Sequence, residues 1–232
     1  MEARRVRARA GDGAHLREEI LRNAEQLLVE TGNEDALTLR AVAQRTRVTT
    51  PSVYLHFTGK EALVEAVCLR VWDELGRRIT DAVGRVTDPF IALGECGRAY
   101  VHFALDHPVQ YRLLMMRPAT SAEVPPASAA CFGYMVDAVT ACVESGVLQG
   151  NPETLALTMW TAVHGCAALL ITQPALPWPD DVNEIIDATI RMAGFGTALN
   201  SQLPRRRAPR SVELLEGIGA AAERLRASGR KK

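Results

Sequence analysis

The stretch from Thr38 to Leu63, TLRAVAQRTRVTTPSVYLHFTGKEAL, constrains this chain more than any other, because it holds two short helices, a tight connection and the start of a third helix. Thr38 is a good N-cap, and Leu39, Val42 and Ala43 recur at i, i+3 and i+4, which predicts a helix over about Leu39 to Arg45 with one buried stripe. After Thr46-Arg47-Val48, Thr49 or Thr50 can cap a second helix, Thr50 to His56, that has Pro51 in its first turn, where a missing N–H costs nothing. Val53 and Phe57 lie four apart and can face inward. Thr50, Ser52, Tyr54 and His56 then offer hydroxyl, phenol and imidazole groups outward. Lys60 stands at the next helix start, beside free amides that already attract phosphate. Groups of these types suit base edges and the DNA backbone.

Tyr54, His56, Phe57 and Lys60 together resemble the helix-turn-helix of TetR-family transcriptional regulators, whose pattern ends in Tyr-x-His-Phe followed by a Lys at the next helix start. Ile20, Ala24, Leu27, Leu28 and Gly32, then Leu37-Thr38-Leu39, resemble that family's first helix and its link to the reader. The resemblance implies an all-α protein: an N-terminal three-helix DNA-binding domain, then an antiparallel helical bundle for ligand binding and dimerisation. Thr38, Arg40, Arg47, Thr49, Thr50, Ser52, Tyr54, His56 and Lys60 become the expected DNA contacts. One position departs from the pattern, since the family usually has Gly where this chain has Arg47. Either the turn is shaped differently, or a positive φ is imposed on a residue that tolerates it less well than Gly, or Arg47 adds a phosphate contact.

The net charge of zero looks wrong for a DNA binder until it is divided along the chain. Residues 1–60 hold 10 Lys+Arg against 8 Asp+Glu, residues 61–203 hold 8 against 16, and residues 204–232 hold 9 against 3, so the nets are +2, −8 and +6. An acidic body repels DNA and leaves contact to the N-terminal reader. The expected organisation is a basic, disordered arm over 1–14, a DNA-binding domain over 15–60, a helical body over 61–203 and a basic tail with an amphipathic pattern over Ser211–Arg226. Arg4, Arg5, Arg7 and Arg9 can reach into a minor groove as flexible arms do, with a solvated, disordered tail the favoured alternative. Cys68, Cys96, Cys131, Cys142 and Cys166 are odd in number, form no C-x-x-C pair and fall in apolar helical settings, as small hydrophobes of a reducing cytosol do. No uninterrupted apolar run of about 18 residues and no signal-peptide pattern stands out. A cytoplasmic protein without membrane contact is the expectation.

Beyond the reader, breakers separate helices: Lys60 to about Val83, Pro89–Asp106 behind an Asp88 cap, and Pro108–Met116. A Pro/Ser/Ala loop from Pro118 to Ser128 then leads to a helix through Glu144. Two more follow, Pro152 to about Ile171 and, from Asp180 or Asp181, one through Leu199. Alternation typical of strands is absent. Trp160, His164 and Gly165 form Trp-x-x-x-His-Gly; with His107-Pro108 and Tyr111-Arg112-Leu113 they are similar to the ligand-binding domain of the TetR subgroup named for that motif. That face lines a pocket or a dimer seam, or is plain core in which His164 makes a buried hydrogen bond. Tyr100, His102, Phe103, Tyr111, Met115, Phe132, Met135, Trp160 and His164 supply aromatic and soft groups that suit an apolar effector. His102 and Asp106 lack a third ligand at metal spacing, so neither metal nor cofactor is expected.

The resemblance further implies a homodimer through helices 152–171 and 180–199, a palindromic operator and release by an unknown small molecule. Nucleophile elbows, phosphate loops and Cys/His nucleophile arrangements are absent, which argues against an enzyme on a helical bundle. A helical interaction protein without DNA binding is the other competing class, separated from a regulator by an electrophoretic shift.

Overall fold

The computed structural model describes residues 12–115, 126–200 and 209–229. The elements run α1 (Asp12–Thr31), a 3-10 turn (Glu34–Ala36), α2 (Leu39–Thr46), α3 (Thr50–Tyr54), α4 (Lys60–Val83), α5 (Pro89–Asp106) and α6 (Pro108–Met115). They continue with α7 (Pro126–Glu144), α8 (Pro152–Thr172), α9 (Val182–Asn200) and α10 (Ser211–Gly229), and no strand occurs among the described residues.

Local chemistry accounts for the boundaries. The Asp88 carboxylate accepts from the amides of Phe90 and Ile91, both at 3.0 Å, and Pro89 opens α5 behind it. Asn151 and Pro152 repeat the device at α8, with the Thr154 amide 2.9 Å from Asn151 Oδ1. Gly32, at φ +60°, closes α1 in the left-handed region that an L side chain adopts at a cost.

Ile20, Ala24 and Leu28 of α1 are buried, as are Leu39 and Val42 of α2, Val53 of α3, Phe57 and the first turns of α4. α4 packs against α1 and also against α5, α6 and α7, so one helix is shared by head and body. Ion pairs reinforce the head: Arg45 holds Glu30 through both terminal nitrogens, at 2.7 and 2.6 Å. Arg70 of α4 reaches Glu25 (3.0 Å) and Glu18 of α1. In the body, α5 is central, touching α4, α6, α7, α8 and α9.

Two expectations are corrected. Residues 12–14, assigned to the arm, are the first turn of α1. Residues 126–128, assigned to a loop, begin α7, because Pro126 takes the first helical position that proline favours. The boundary after residue 60 falls at the first residue of α4, the long helix expected to join reader and body. The rest of the arm, of the Pro118–Ser128 loop and of the tail before residue 209 lies outside the described residues. α8 is long and apolar enough to cross a membrane by length and composition alone, yet it packs against α5, α7 and α9.

Candidate functional site

In the head, Thr38 and Thr49 cap their helices as their sequence contexts require. Thr38 Oγ1 accepts from the Ala41 amide (3.1 Å), and Thr49 Oγ1 accepts from the Ser52 amide (3.3 Å) while meeting Ser52 Oγ at 2.8 Å. Between them Arg47 has φ 57° and ψ 39°. The Val48 amide reaches back to Ala43 C=O at 2.9 Å, a Schellman-type stop whose left-handed residue is usually Gly. The turn therefore takes the left-handed conformation that Gly adopts freely, and Arg47 carries the strain. Its side chain is exposed.

Thr38, Arg40, Arg47, Thr49 and Tyr54 are exposed, and Thr50, Ser52, His56 and Lys60 are half-buried, while Val53 and Phe57 are buried as expected. Lys60 Nζ lies 3.6 Å from Asp35 Oδ1, and Gly59 gives α4 no side-chain cap, leaving its first amides open. α3 stops at Tyr54, two residues earlier than expected, because the chain turns there to bury Phe57. Leu55, absent from the expected contacts, is 84% exposed beside Tyr54. Its place between the inward Val53 and Phe57 is the sequence signal that marks it.

The body holds a cavity of about 530 Å³ between α4, α5, α6, α7 and α8. Of the expected ligand residues, Met115, Phe132, Met135 and Trp160 line it, together with Tyr100; Trp72 and Ile79 of α4 form another wall. Among its described lining residues, which also include Cys96, Cys131 and Ser128, none bears a charge at neutral pH. Burial pushes the thiols of Cys96 and Cys131 up to about 12, so they are inert.

Tyr111 and His164 stand behind Tyr100 rather than on the cavity wall. Tyr111 Oη is 2.7 Å from His164 Nδ1, and Tyr100 Oη approaches the same nitrogen at 3.0 Å and Tyr111 Oη at 3.4 Å. Nδ1 has one in-plane lone pair, and the shorter approach assigns it to the Tyr111 hydroxyl; Tyr100 then donates to Tyr111. Burial pulls the His164 pKa below its ordinary value, consistent with a neutral ring that accepts at Nδ1 and carries its proton on Nε2. Burial also raises both phenols, Tyr111 to about 12. Trp160 stacks on His164 with ring centroids 4.8 Å apart.

His102 and Phe103 do not line this cavity. His102 lies roughly 200° around α5 from Tyr100 at 3.6 residues per turn. Phe103, a turn further along, packs under the Arg78 guanidinium (5.7 Å) and against His107 (4.9 Å). Gly165, expected to admit a neighbouring helix, meets nothing of its own chain within 4 Å. No metal-binding group of three or more His, Cys, Asp or Glu occurs among the described residues.

Residues 20–67 match a family model described as bacterial regulatory proteins, tetR family, and residues 93–193 match one described as tetracyclin repressor-like, C-terminal domain. An uncharacterised HTH-type transcriptional regulator of Mycobacterium tuberculosis is 29% identical over 157 residues, covering 67% of this chain and 70% of the relative. A solved protein of unknown function from Rhodococcus sp. RHA1 superposes with a TM-score of 0.70 at 26% identity, covering 79% of this chain and 95% of the other. A tetR family transcription regulator from Shewanella sp. PV-4 gives a TM-score of 0.59 at 20% identity over 80% of this chain and 96% of the other, a likeness of fold.

Proposed function

Because the chain belongs to the TetR family and is a non-enzymatic, DNA-binding transcriptional regulator, we propose that it is a cytoplasmic homodimeric repressor, released from a palindromic operator by a small molecule in the body cavity. The observation that carries this reading is the reach of α4. It begins at Lys60 in the head and lends Trp72 and Ile79 to the cavity wall, so whatever fills the cavity bears on the helix that holds the reader. The ligand acts by binding the released arrangement more tightly than the operator-bound one.

The cavity chemistry supports an uncharged, largely apolar effector, since a charged one would lose its hydration with no opposite charge among the described lining residues. The Trp-x-x-x-His-Gly run contributes by building the wall at Trp160 and bracing it through His164. Exposed apolar residues on the expected dimer helices, Leu157 and Leu169 of α8 with Met192, Phe195 and Leu199 of α9, support pairing with a second copy. The open space at Gly165 and Gly196 admits a partner helix.

In the reader, Thr38, Arg40, Arg47, Thr49, Thr50, Ser52, Tyr54, His56 and Lys60 contact the operator, with Lys60 and the first amides of α4 on phosphate. Electrophoretic shift on the chain's own upstream DNA tests this. Tyr54→Ala and Lys60→Ala weaken the shift, and the Lys60 variant also lowers the salt dependence by about one phosphate contact per head. Unchanged binding in both variants refutes their roles.

A further inference from the structure

A second cleft, of about 360 Å³, lies where α1, α4, α5 and α6 meet, on the opposite chemical footing from the apolar cavity. Charged and polar groups dominate it: Glu25 from the head, Arg70, Asp73, Glu74 and Arg77 from α4, His107 from the C-cap of α5 and Gln110 from α6. Most of these charges are already paired. Arg70 is held by Glu25 and Glu18, and Arg77 by Glu74. Arg78 donates to His107 Nε2 at 2.7 Å and to Asp106 at 2.8 Å.

Two groups are left over. The Asp73 carboxylate, on the exposed side of the cleft, has no ion pair or hydrogen bond with any described residue. Gln110 is only 8% exposed, lines the cleft, and its carboxamide likewise has no partner among the described residues. Neither carboxamide atom is sealed from solvent, so both face the water of the cleft and can exchange it for a ligand's polar group. Arg77 also keeps guanidinium N–H groups beyond the nitrogen spent on Glu74.

We propose that this cleft is a second effector site, for a compact zwitterion of amino-acid size. Its carboxylate meets the unspent N–H groups of Arg77, its ammonium meets Asp73, and its remaining polar group meets the Gln110 carboxamide. A molecule there bridges the shared helix α4 and the body helix α6, with Glu25 of α1 on the neighbouring wall. It therefore restrains α4 against the body and changes operator affinity by its preference for one of their arrangements.

The test is thermal-shift and calorimetric titration of the full chain with each common L-α-amino acid at millimolar concentration, without DNA. At least one raises the melting temperature, and neither its deaminated carboxylic acid nor its decarboxylated amine matches it. Its dissociation constant weakens roughly tenfold or more in Gln110→Leu and in Asp73→Asn, and is unchanged in Trp160→Ala, whose side chain does not line this cleft. Asp73 is exposed, so Asp73→Asn remains informative even where Gln110→Leu perturbs packing. No stabilising amino acid, equal binding of the carboxylic acid alone, or binding that survives Asp73→Asn overturns the proposal. Because the assay contains no operator, its failure leaves the regulatory reading of the head and apolar cavity untouched.

Discussion

Replacing Arg47 by glycine raises stability and lowers operator affinity, two effects of opposite sign from one residue. At φ 57° and ψ 39°, an L residue carries a steric penalty of about 1–2 kcal/mol that glycine does not. Glycine gives back about 0.4–1 kcal/mol through the greater freedom of the unfolded chain. The Arg47 side chain makes no ion pair or hydrogen bond with any described residue, so nothing else is lost in the folded state. The balance lies between zero and about 1.6 kcal/mol, centred on about 0.8, which for a chain of this size corresponds to a melting-temperature rise centred on roughly 2–3 °C by calorimetry. On DNA the same variant loses a cation from each head. The slope of log affinity against log salt falls by about 0.9 for each phosphate contact removed. A melting temperature that falls refutes the strain argument. An unchanged salt slope refutes the phosphate contact alone, because the two measurements are independent.

Tyr111→Phe removes the donor at 2.7 Å from His164 Nδ1 from a fully buried phenol beside a half-buried ring, and chemical denaturation should show a loss of about 1–2 kcal/mol; a loss under a few tenths refutes the assigned bond. His164 has a folded pKa below its ordinary 6.5, so its neutral form is the one the fold prefers: its contribution is intact above 6.5 and drains away as pH falls toward the lower folded value. His107, depressed by burial and by Arg78, acts in the same direction. Denaturation midpoints of the parent should therefore drop on acidification below about pH 6.5, and His164→Gln should drop less steeply. Equal slopes count against His164. Met192→Glu places an unpaired charge on a side chain that is 65% exposed in the single chain, and light scattering should show monomers with unchanged circular dichroism; persistent dimers place the subunit contact elsewhere.

Legibility along the chain followed the range of the interactions involved. Asp88-Pro89 and Asn151-Pro152 announce α5 and α8 because a cap and a first-turn proline act within four residues. The reader was legible for the same reason, down to the turn at Arg47, where the departure from glycine meets a left-handed backbone. Side-chain direction in the body was not. Tyr100 and His102 look equally suited to a pocket in sequence, and only the packing of α5 among five neighbours decides that one lines the cavity and the other does not. The convergence of Tyr100, Tyr111 and His164 joins residues from three helices, and no local pattern encodes that meeting. The polar cleft escaped for the same reason, since Glu25 and Gln110 are brought together only by tertiary packing.

α4 runs unbroken for 24 residues, which at 1.5 Å per residue makes a rod of about 36 Å. Such a rod amplifies. Pivoted by about 5° at its body end, it carries the opposite tip through about 3 Å, and in the proposed dimer a twofold mate swinging the other way brings the separation change to about 6 Å, a sizeable fraction of the ~34 Å helical repeat that successive grooves present. A proline or glycine pair introduced midway would turn the rod into a joint, leaving the tips free to settle on the grooves whatever the far end is doing.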